Sequence, residues 1–98
     1  MKDHITKIII HSLKEFNRDF DKVKLRKPNA NTQLYGEKGY LDSLAMVALL
    51  VDIEEKIYQE FHQSIVLVNE KAFNQKHSPF RSIRYLAEYI YQLLNSQK

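Results

Sequence analysis

The chain has 98 residues and a net charge of +3 at neutral pH; 44% of its residues are hydrophobic and 28% are charged. This length and balance suit a single soluble domain, residues 1–98, with a modest core. The absence of cysteine excludes disulfides and thiolate metal sites, and no apolar run is long enough to span a bilayer.

The N-terminus does not have the pattern of a targeting sequence. Its apolar cluster, Ile8 to Ile10, is bounded by polar residues and no small-residue cleavage site follows it. We therefore expect a cytoplasmic protein without a membrane span.

A first helix is predicted over about residues 3–20. Ile10 lies off its apolar stripe and is expected to be exposed. His4 and His11 are seven residues apart and could share a face, but no third ligand type is near them, so we interpret them as surface histidines. The residues of the stripe recur at spacings of three and four: Ile5, Ile8, Ile9, Leu13, Phe16 and Phe20.

The basic excess lies in the first part of the chain. Residues 1–40 contain nine Lys or Arg and five Asp or Glu, whereas residues 41–98 contain six and seven. Such an excess allows phosphate contacts, but no aromatic platform or base-reading motif accompanies it, so we expect solvated surface and no nucleic-acid partner. The densest basic segment ends at Pro28 and contains Lys22, Lys24, Arg26 and Lys27.

The periodicity fades between Asp21 and Tyr40, which predicts a connecting loop. A loop of about twenty residues is uncommon in a compact domain unless it is functional or packed by its own side chains. Five apolar residues can supply that packing: Val23, Leu25, Leu34, Tyr35 and Leu41.

The second helix is predicted over about residues 43–61. Gly39 provides a turn, Asp42 is the expected N-cap and Ser43 is the expected first helical residue. Unpaired backbone N–H groups and the positive end of the helix dipole favour an anion there. The pattern therefore indicates a phosphorylated or phosphodiester-modified Ser43.

The second helix carries apolar residues on two sides. One set has core spacing: Met46, Leu49, Leu50, Ile53, Ile57 and Phe61. The other set, which we call the apolar strip, consists of Leu44, Val47, Ala48 and Val51. The strip is either a docking surface for partner proteins or is covered by the long loop, and the sequence leaves both open.

Two short elements follow. Residues 65–68 form an apolar run that we interpret as a linker packed on the core rather than a strand. Asn69 is expected to cap a short third helix, over about residues 69–73.

A final helix is predicted over about residues 82–94. Ser82 is the expected cap, although the helix could start one turn earlier, with Pro79 as its first residue and Ser78 as its cap. The predicted fold class is therefore all-α, with four helices, a long first loop and a short third helix.

The tripeptide Asp42-Ser43-Leu44 at the start of a helix resembles the prosthetic-group attachment site of the acyl carrier proteins. The resemblance extends from about Leu34 to about Leu94 and includes the order of the helices, so it implies a carrier-protein-like four-helix bundle. In that family, the serine receives 4'-phosphopantetheine from coenzyme A. The resemblance implies that Ser43 is the attachment residue, that Asp42 helps a phosphopantetheinyl transferase hold its magnesium ion, and that Leu44 is a docking contact.

The sequence departs from the commonest family pattern at two places. The glycine expected two residues before the aspartate is Tyr40, with Gly39 one residue earlier. Carriers of fatty-acid synthesis have acidic residues close after the serine, but here Ala45 and Ala48 take those positions. The acids are displaced to Asp52, Glu54, Glu55 and Glu60.

Charge complementarity mainly sets association rate and partner choice, so we expect other partners than those of the housekeeping fatty-acid carrier. The resemblance implies a stand-alone carrier of an acyl or aminoacyl thioester, in fatty-acid or secondary-metabolite biosynthesis. The expected docking residues are the apolar strip together with Glu54 and Glu55.

Independent catalysis and metal binding are not expected. The sequence has no glycine-rich phosphate loop, no His-Glu-x-x-His helix and no outstanding carboxylate pair, and His62 and His77 are solitary polar-loop residues. We expect a monomer that is a substrate of the transferase and serves acyl- or aminoacyl-loading and receiving enzymes. The alternative is an unmodified helical adaptor that binds proteins through the second helix, with Ser43 only a cap residue.

Overall fold

A computed structural model describes residues 2–36, 38–74 and 78–96, without the side chains of Phe20 and Lys24. Within these ranges the chain forms four α-helices and no strand, which confirms the predicted all-α class. The helices are α1 (Lys2–Phe20), α2 (Ser43–Phe61), α3 (Glu70–Asn74) and α4 (Ile83–Ser96), and a single 3-10 turn covers Val23–Leu25.

Helix α1 is the central element because it packs against both α2 and α4. Its stripe faces inward as predicted, and Ile5, Ile9 and Leu13 are fully buried. The prediction for Ile10 is wrong: this side chain is half-buried and packs against the core. A helix covered by two neighbours buries a wider face than one stripe. The predicted burial of Phe20 lies outside the described side chains.

The starts of three helices follow local capping signals. The Asp42 carboxylate accepts a hydrogen bond from the Ala45 N–H at 2.8 Å, and Asn69 accepts one from the Ala72 N–H at 2.7 Å. Ser82 Oγ accepts one from the Tyr85 N–H at 3.3 Å. The alternative start of α4 at Pro79 is therefore not adopted.

The long first loop is packed by its own leucines. Leu25, Leu34 and Leu41 are buried in the common core, and Tyr35 is half-buried against it. The prediction for Val23 is wrong, because this side chain is 69% exposed.

Backbone hydrogen bonds attach this loop to the beginning of α4. The Ile83 N–H donates to the Thr32 carbonyl at 3.1 Å, and the Arg84 N–H donates to the Ala30 carbonyl at 2.8 Å. These amides lie in the first turn of α4, where no intrahelical acceptor exists. The loop therefore caps α4 with its own carbonyl groups.

Candidate functional site

Ser43 is exposed and is the first residue of α2. The preceding residue, Asp42, has an extended backbone (φ −80°, ψ 177°), and its side chain caps the helix. Its carbonyl oxygen accepts the first intrahelical hydrogen bond, from the Met46 N–H at 2.9 Å. The predicted positions of the cap and of the serine are both observed.

The backbone amides at this helix start are only partly used. Asp42 accepts hydrogen bonds from the N–H groups of Ala45 and Met46. The N–H groups of Ser43 and Leu44 have no hydrogen-bond acceptor within the described part of the chain. Free N–H groups and the helix dipole make the start of a long helix favourable for a negative charge. A phosphodiester on the Ser43 hydroxyl therefore suits this position electrostatically.

The turn before the serine is fixed by the core. Leu41 is buried, and its N–H donates to the Leu34 carbonyl at 2.9 Å. A Cβ atom on Gly39 would lie 2.6 Å from the carbonyl carbon of Leu34 and 2.7 Å from the Tyr35 nitrogen. Only glycine allows this close backbone approach, so the turn requires a glycine at position 39.

The apolar strip of α2 is largely exposed. Leu44 is 80% exposed and Val51 is 51% exposed; Ala48 is exposed and Val47 is half-buried. The first loop therefore does not cover the strip. Sequence reasoning missed Tyr58, which is 56% exposed and lies seven residues after Val51, two helical turns further along the same face.

The two acidic residues proposed for docking differ in their surroundings. Glu55 is exposed, whereas Glu54 is half-buried, and its Oε2 atom accepts hydrogen bonds from the Leu67 N–H at 2.6 Å and the Val68 N–H at 3.2 Å. Glu54 thus holds the apolar linker after α2. This linker does not form a strand, which confirms the prediction, and its Ile65 and Leu67 side chains are buried.

The remaining acids of α2 contact basic side chains. Asp52 contacts Lys56 at 2.6 Å, and Lys56 also contacts Glu15 of α1 at 2.9 Å. Glu60 contacts His4 at 3.1 Å. On the side of α2 next to α1, Lys56 is thus shared between two carboxylates, while Glu55 carries its charge beside the apolar strip.

Two residues of the basic segment before Pro28 form hydrogen bonds within the molecule. Lys22 Nζ donates to the Tyr40 carbonyl, and Arg26 forms a two-point contact with the Asp21 carboxylate, both distances being 3.0 Å. The hydrogen bond and the charge of Asp21 raise the pKa of Arg26. The side chain of Lys24 lies outside the described residues.

Histidines do not form a metal centre in the described part of the chain, where no group of three potential ligands was found. His4 and His11 are exposed, as predicted, and His11 lies 3.5 Å from Glu15. His62 is also exposed and ends α2 in a left-handed conformation, with φ 56°. His77 lies outside the described residues.

Comparison with known proteins does not add an identity to this geometry. No protein-family model, no curated protein and no solved structure matches the chain. In the ranges that the structure describes, none of the helices combines the length and the apolar character that crossing a membrane requires.

Proposed function

We propose that this chain is a carrier protein that holds an acyl or aminoacyl group on a 4'-phosphopantetheine arm attached to Ser43. One observation carries the proposal: an exposed serine is the first residue of a 19-residue helix whose next residue, Leu44, begins an exposed apolar strip. The proposed attachment residue and the proposed docking surface are thereby adjacent on one helix.

The residues around Ser43 fit such a group. The hydroxyl is accessible, and the free N–H groups at the helix start favour the phosphodiester charge. Asp42 is exposed, so its second carboxylate oxygen can face the magnesium ion of a phosphopantetheinyl transferase while the first oxygen caps α2. When bound, the group supplies a terminal thiol that carries the acyl or aminoacyl cargo as a thioester.

The apolar strip explains how a carrier could meet its partners. Leu44 lies next to the serine, and Val51 and Tyr58 extend the apolar contact area along α2. Glu55 adds one charge to this face. Docking of the strip raises the effective concentration of the cargo at the partner's active site. We propose a cytoplasmic monomer whose partners are the transferase and the enzymes that load and receive the cargo.

The test is the intact mass of the full chain after incubation with coenzyme A and a broad-specificity phosphopantetheinyl transferase. We expect the native protein to gain one phosphopantetheine group and Ser43→Ala to gain none. Ser96→Ala is the matched control, because Ser96 is also an exposed helical serine, and it should be modified like the native protein. No gain with several such transferases would overturn the proposal.

Asp42→Asn separates recognition from folding. Asparagine is also a good N-cap, so the helix start should be retained and the thermal midpoint should remain close to that of the native protein. The loss of the carboxylate charge should slow modification by at least about tenfold if Asp42 helps to hold magnesium. An unchanged rate of modification would remove this role from Asp42.

The unmodified adaptor is favoured by one specific observation. The exposed face of α2 continues beyond the neighbourhood of Ser43 to Tyr58, which lies two helical turns after Val51. A protein-binding helix that needs no prosthetic group would use this whole length. Failure of every transferase, together with binding to a partner protein that is lost in Val51→Asp but kept in Ser43→Ala, would make the adaptor the better function.

A further inference from the structure

The outward face of α1 carries a continuous line of basic side chains, which we call the basic stripe. Its members recur at alternating spacings of three and four, and all are exposed. At 3.6 residues per turn they fall within about 80° of arc and extend over about 21 Å. They are His4, Lys7, His11, Lys14 and Arg18.

The basic stripe lies opposite the buried side of α1, where Ile5, Ile9 and Leu13 face the core. Its two histidines have acidic neighbours, Glu60 and Glu15 respectively. The three permanent cations, in contrast, have no ion pair within the described part of the chain; they are Lys7, Lys14 and Arg18.

One pair within the stripe is unfavourable for the helix itself. Lys14 and Arg18 are four residues apart, and like charges at this spacing destabilise a helix. An external anionic surface would relieve this repulsion.

The basic surface continues past the end of α1. An open concavity of about 340 Å³ is lined by Lys14, Asn17, Arg18, Asp21, Leu25 and Arg26. The 3-10 turn that contributes Leu25 to this concavity also carries Val23, which is 69% exposed. An apolar side chain therefore projects from the turn that adjoins the last cations of the stripe, with exposed Lys22 and Arg26 on either side of it in sequence.

Two polyanions could match this charge, a nucleic acid and a bilayer of anionic lipids. An exposed valine contributes little to a phosphate backbone, whereas it can enter the interface of a bilayer. The stripe also lacks an aromatic side chain for stacking on bases. A row of basic side chains on one helix face, with an exposed valine in the turn that follows the helix, fits a flat, anionic and partly apolar surface.

We propose that the basic stripe, with Val23, binds the protein peripherally to the surface of membranes rich in anionic lipids. The cations lie along the headgroup layer, and Val23 inserts below them. This binding is independent of Ser43, so the test uses the unmodified full chain.

The experiment measures sedimentation with vesicles of phosphatidylglycerol and phosphatidylcholine in equal parts at low ionic strength, with pure phosphatidylcholine vesicles for comparison. Each basic residue near an anionic bilayer contributes about fivefold to the partition coefficient. We therefore expect binding to fall about a hundredfold in the stripe variant, which combines Lys7→Gln, Lys14→Gln and Arg18→Gln. Added salt should weaken binding of the native protein, and Val23→Ser should weaken it severalfold.

The matched control is Lys38→Gln/Lys71→Gln/Arg84→Gln, which removes the same charge from exposed side chains outside α1. This variant should bind anionic vesicles more tightly than the stripe variant, by at least about tenfold. Equal losses in the two variants would overturn the proposal in favour of a general charge effect. Equal binding to neutral vesicles, no binding to anionic vesicles, or preferential binding to duplex DNA would each overturn it as well. Circular dichroism checks that every variant is folded. If the stripe variant is not folded, the double variant Lys14→Gln/Arg18→Gln replaces it and should reduce binding about 25-fold.

Discussion

Glu54 and Glu55 are adjacent residues with the same side chain and different roles in the fold. The Glu54 carboxylate accepts hydrogen bonds from two backbone N–H groups of the linker, those of Leu67 and Val68. Glu55 points to solvent and has no such contact in the described structure. Of the two, Glu55 is the better candidate for contact with a partner, because the Glu54 carboxylate is already hydrogen-bonded within the fold.

We predict that Glu54→Ala lowers the free energy of unfolding by about 1–3 kcal/mol, because two amides of a packed linker lose their acceptor. Glu55→Ala should change it by less than about 0.5 kcal/mol, as is usual for surface substitutions. Urea denaturation followed by circular dichroism measures both values. Equal effects of the two substitutions would contradict the role assigned to Glu54.

At the scale of one element, α2 has two apolar sides with different surroundings. Leu49 is fully buried, whereas Leu44 is 80% exposed. The buried side joins α2 to the core, while the exposed side contributes little to folding and is free for other contacts. A leucine on each side allows the two to be compared with the same substitution.

We predict that Leu49→Ala lowers the free energy of unfolding by about 2–5 kcal/mol, through lost burial and a cavity. Leu44→Ala should lower it by less than about 0.5 kcal/mol. Both values come from urea denaturation of otherwise identical proteins. A large loss for Leu44→Ala would mean that the apolar strip is covered in solution, and would remove it as a docking surface.

The ion pairs between α1 and α2 give this pair of helices a pH dependence. A hydrogen bond from Lys56 and its charge lower the pKa of Glu15. Burial lowers the pKa of Lys56, but hydrogen bonds to Asp52 and Glu15 outweigh this effect and raise it overall. Because the folded state lowers the pKa of Glu15, the stabilisation is present at neutral pH and is lost as the pH falls through the folded value. The contribution of Lys56 is lost only as the pH rises through its raised pKa.

We therefore predict that the difference in unfolding free energy between the native protein and Lys56→Met is largest near neutral pH. It should shrink in acid below about pH 4, where glutamate is protonated, and in strong alkali above about pH 10. Urea denaturation across this range measures it. Lys71→Met is the control, since Lys71 is exposed and has no ion pair among the described residues, and its difference should stay flat. A flat difference for Lys56→Met would contradict the ion-pair account.

At the scale of the whole molecule, the first loop is part of the core. Leu34 is fully buried, and its N–H donates to the Arg81 carbonyl at 2.9 Å, just before α4. The Tyr35 N–H likewise donates to the Phe80 carbonyl at 3.1 Å. The loop thus closes the space beside the helices and should unfold together with them.

We predict that Leu34→Ala lowers the free energy of unfolding by about 2–5 kcal/mol and preserves a single transition. Val23→Ala, in the same loop but exposed, should change it by less than about 0.5 kcal/mol. Far-ultraviolet circular dichroism follows the helices and tyrosine absorption follows the packing, so coincident curves are expected for a two-state protein. A separate early transition would show that the loop unfolds independently.

The sequence alone determined the helices and the capping at the start of α2. Asp42, Asn69 and Ser82 were predicted as caps, because a cap and its amide are two or three residues apart and the interaction is local. The inward stripes of α1 and α2 were also predictable, because helical periodicity selects one face. For the same reason the position of Ser43 was correct.

Only the tertiary structure decided which of the remaining side chains are exposed. The first loop buries Leu34 but leaves Leu44 uncovered, and the linker recruits Glu54 rather than Glu55. The partial burial of Ile10 and the exposure of Val23 were likewise decided by tertiary packing. Each depends on contacts between residues far apart in the chain, and such contacts have no local pattern, because they form only when the helices and loops pack together.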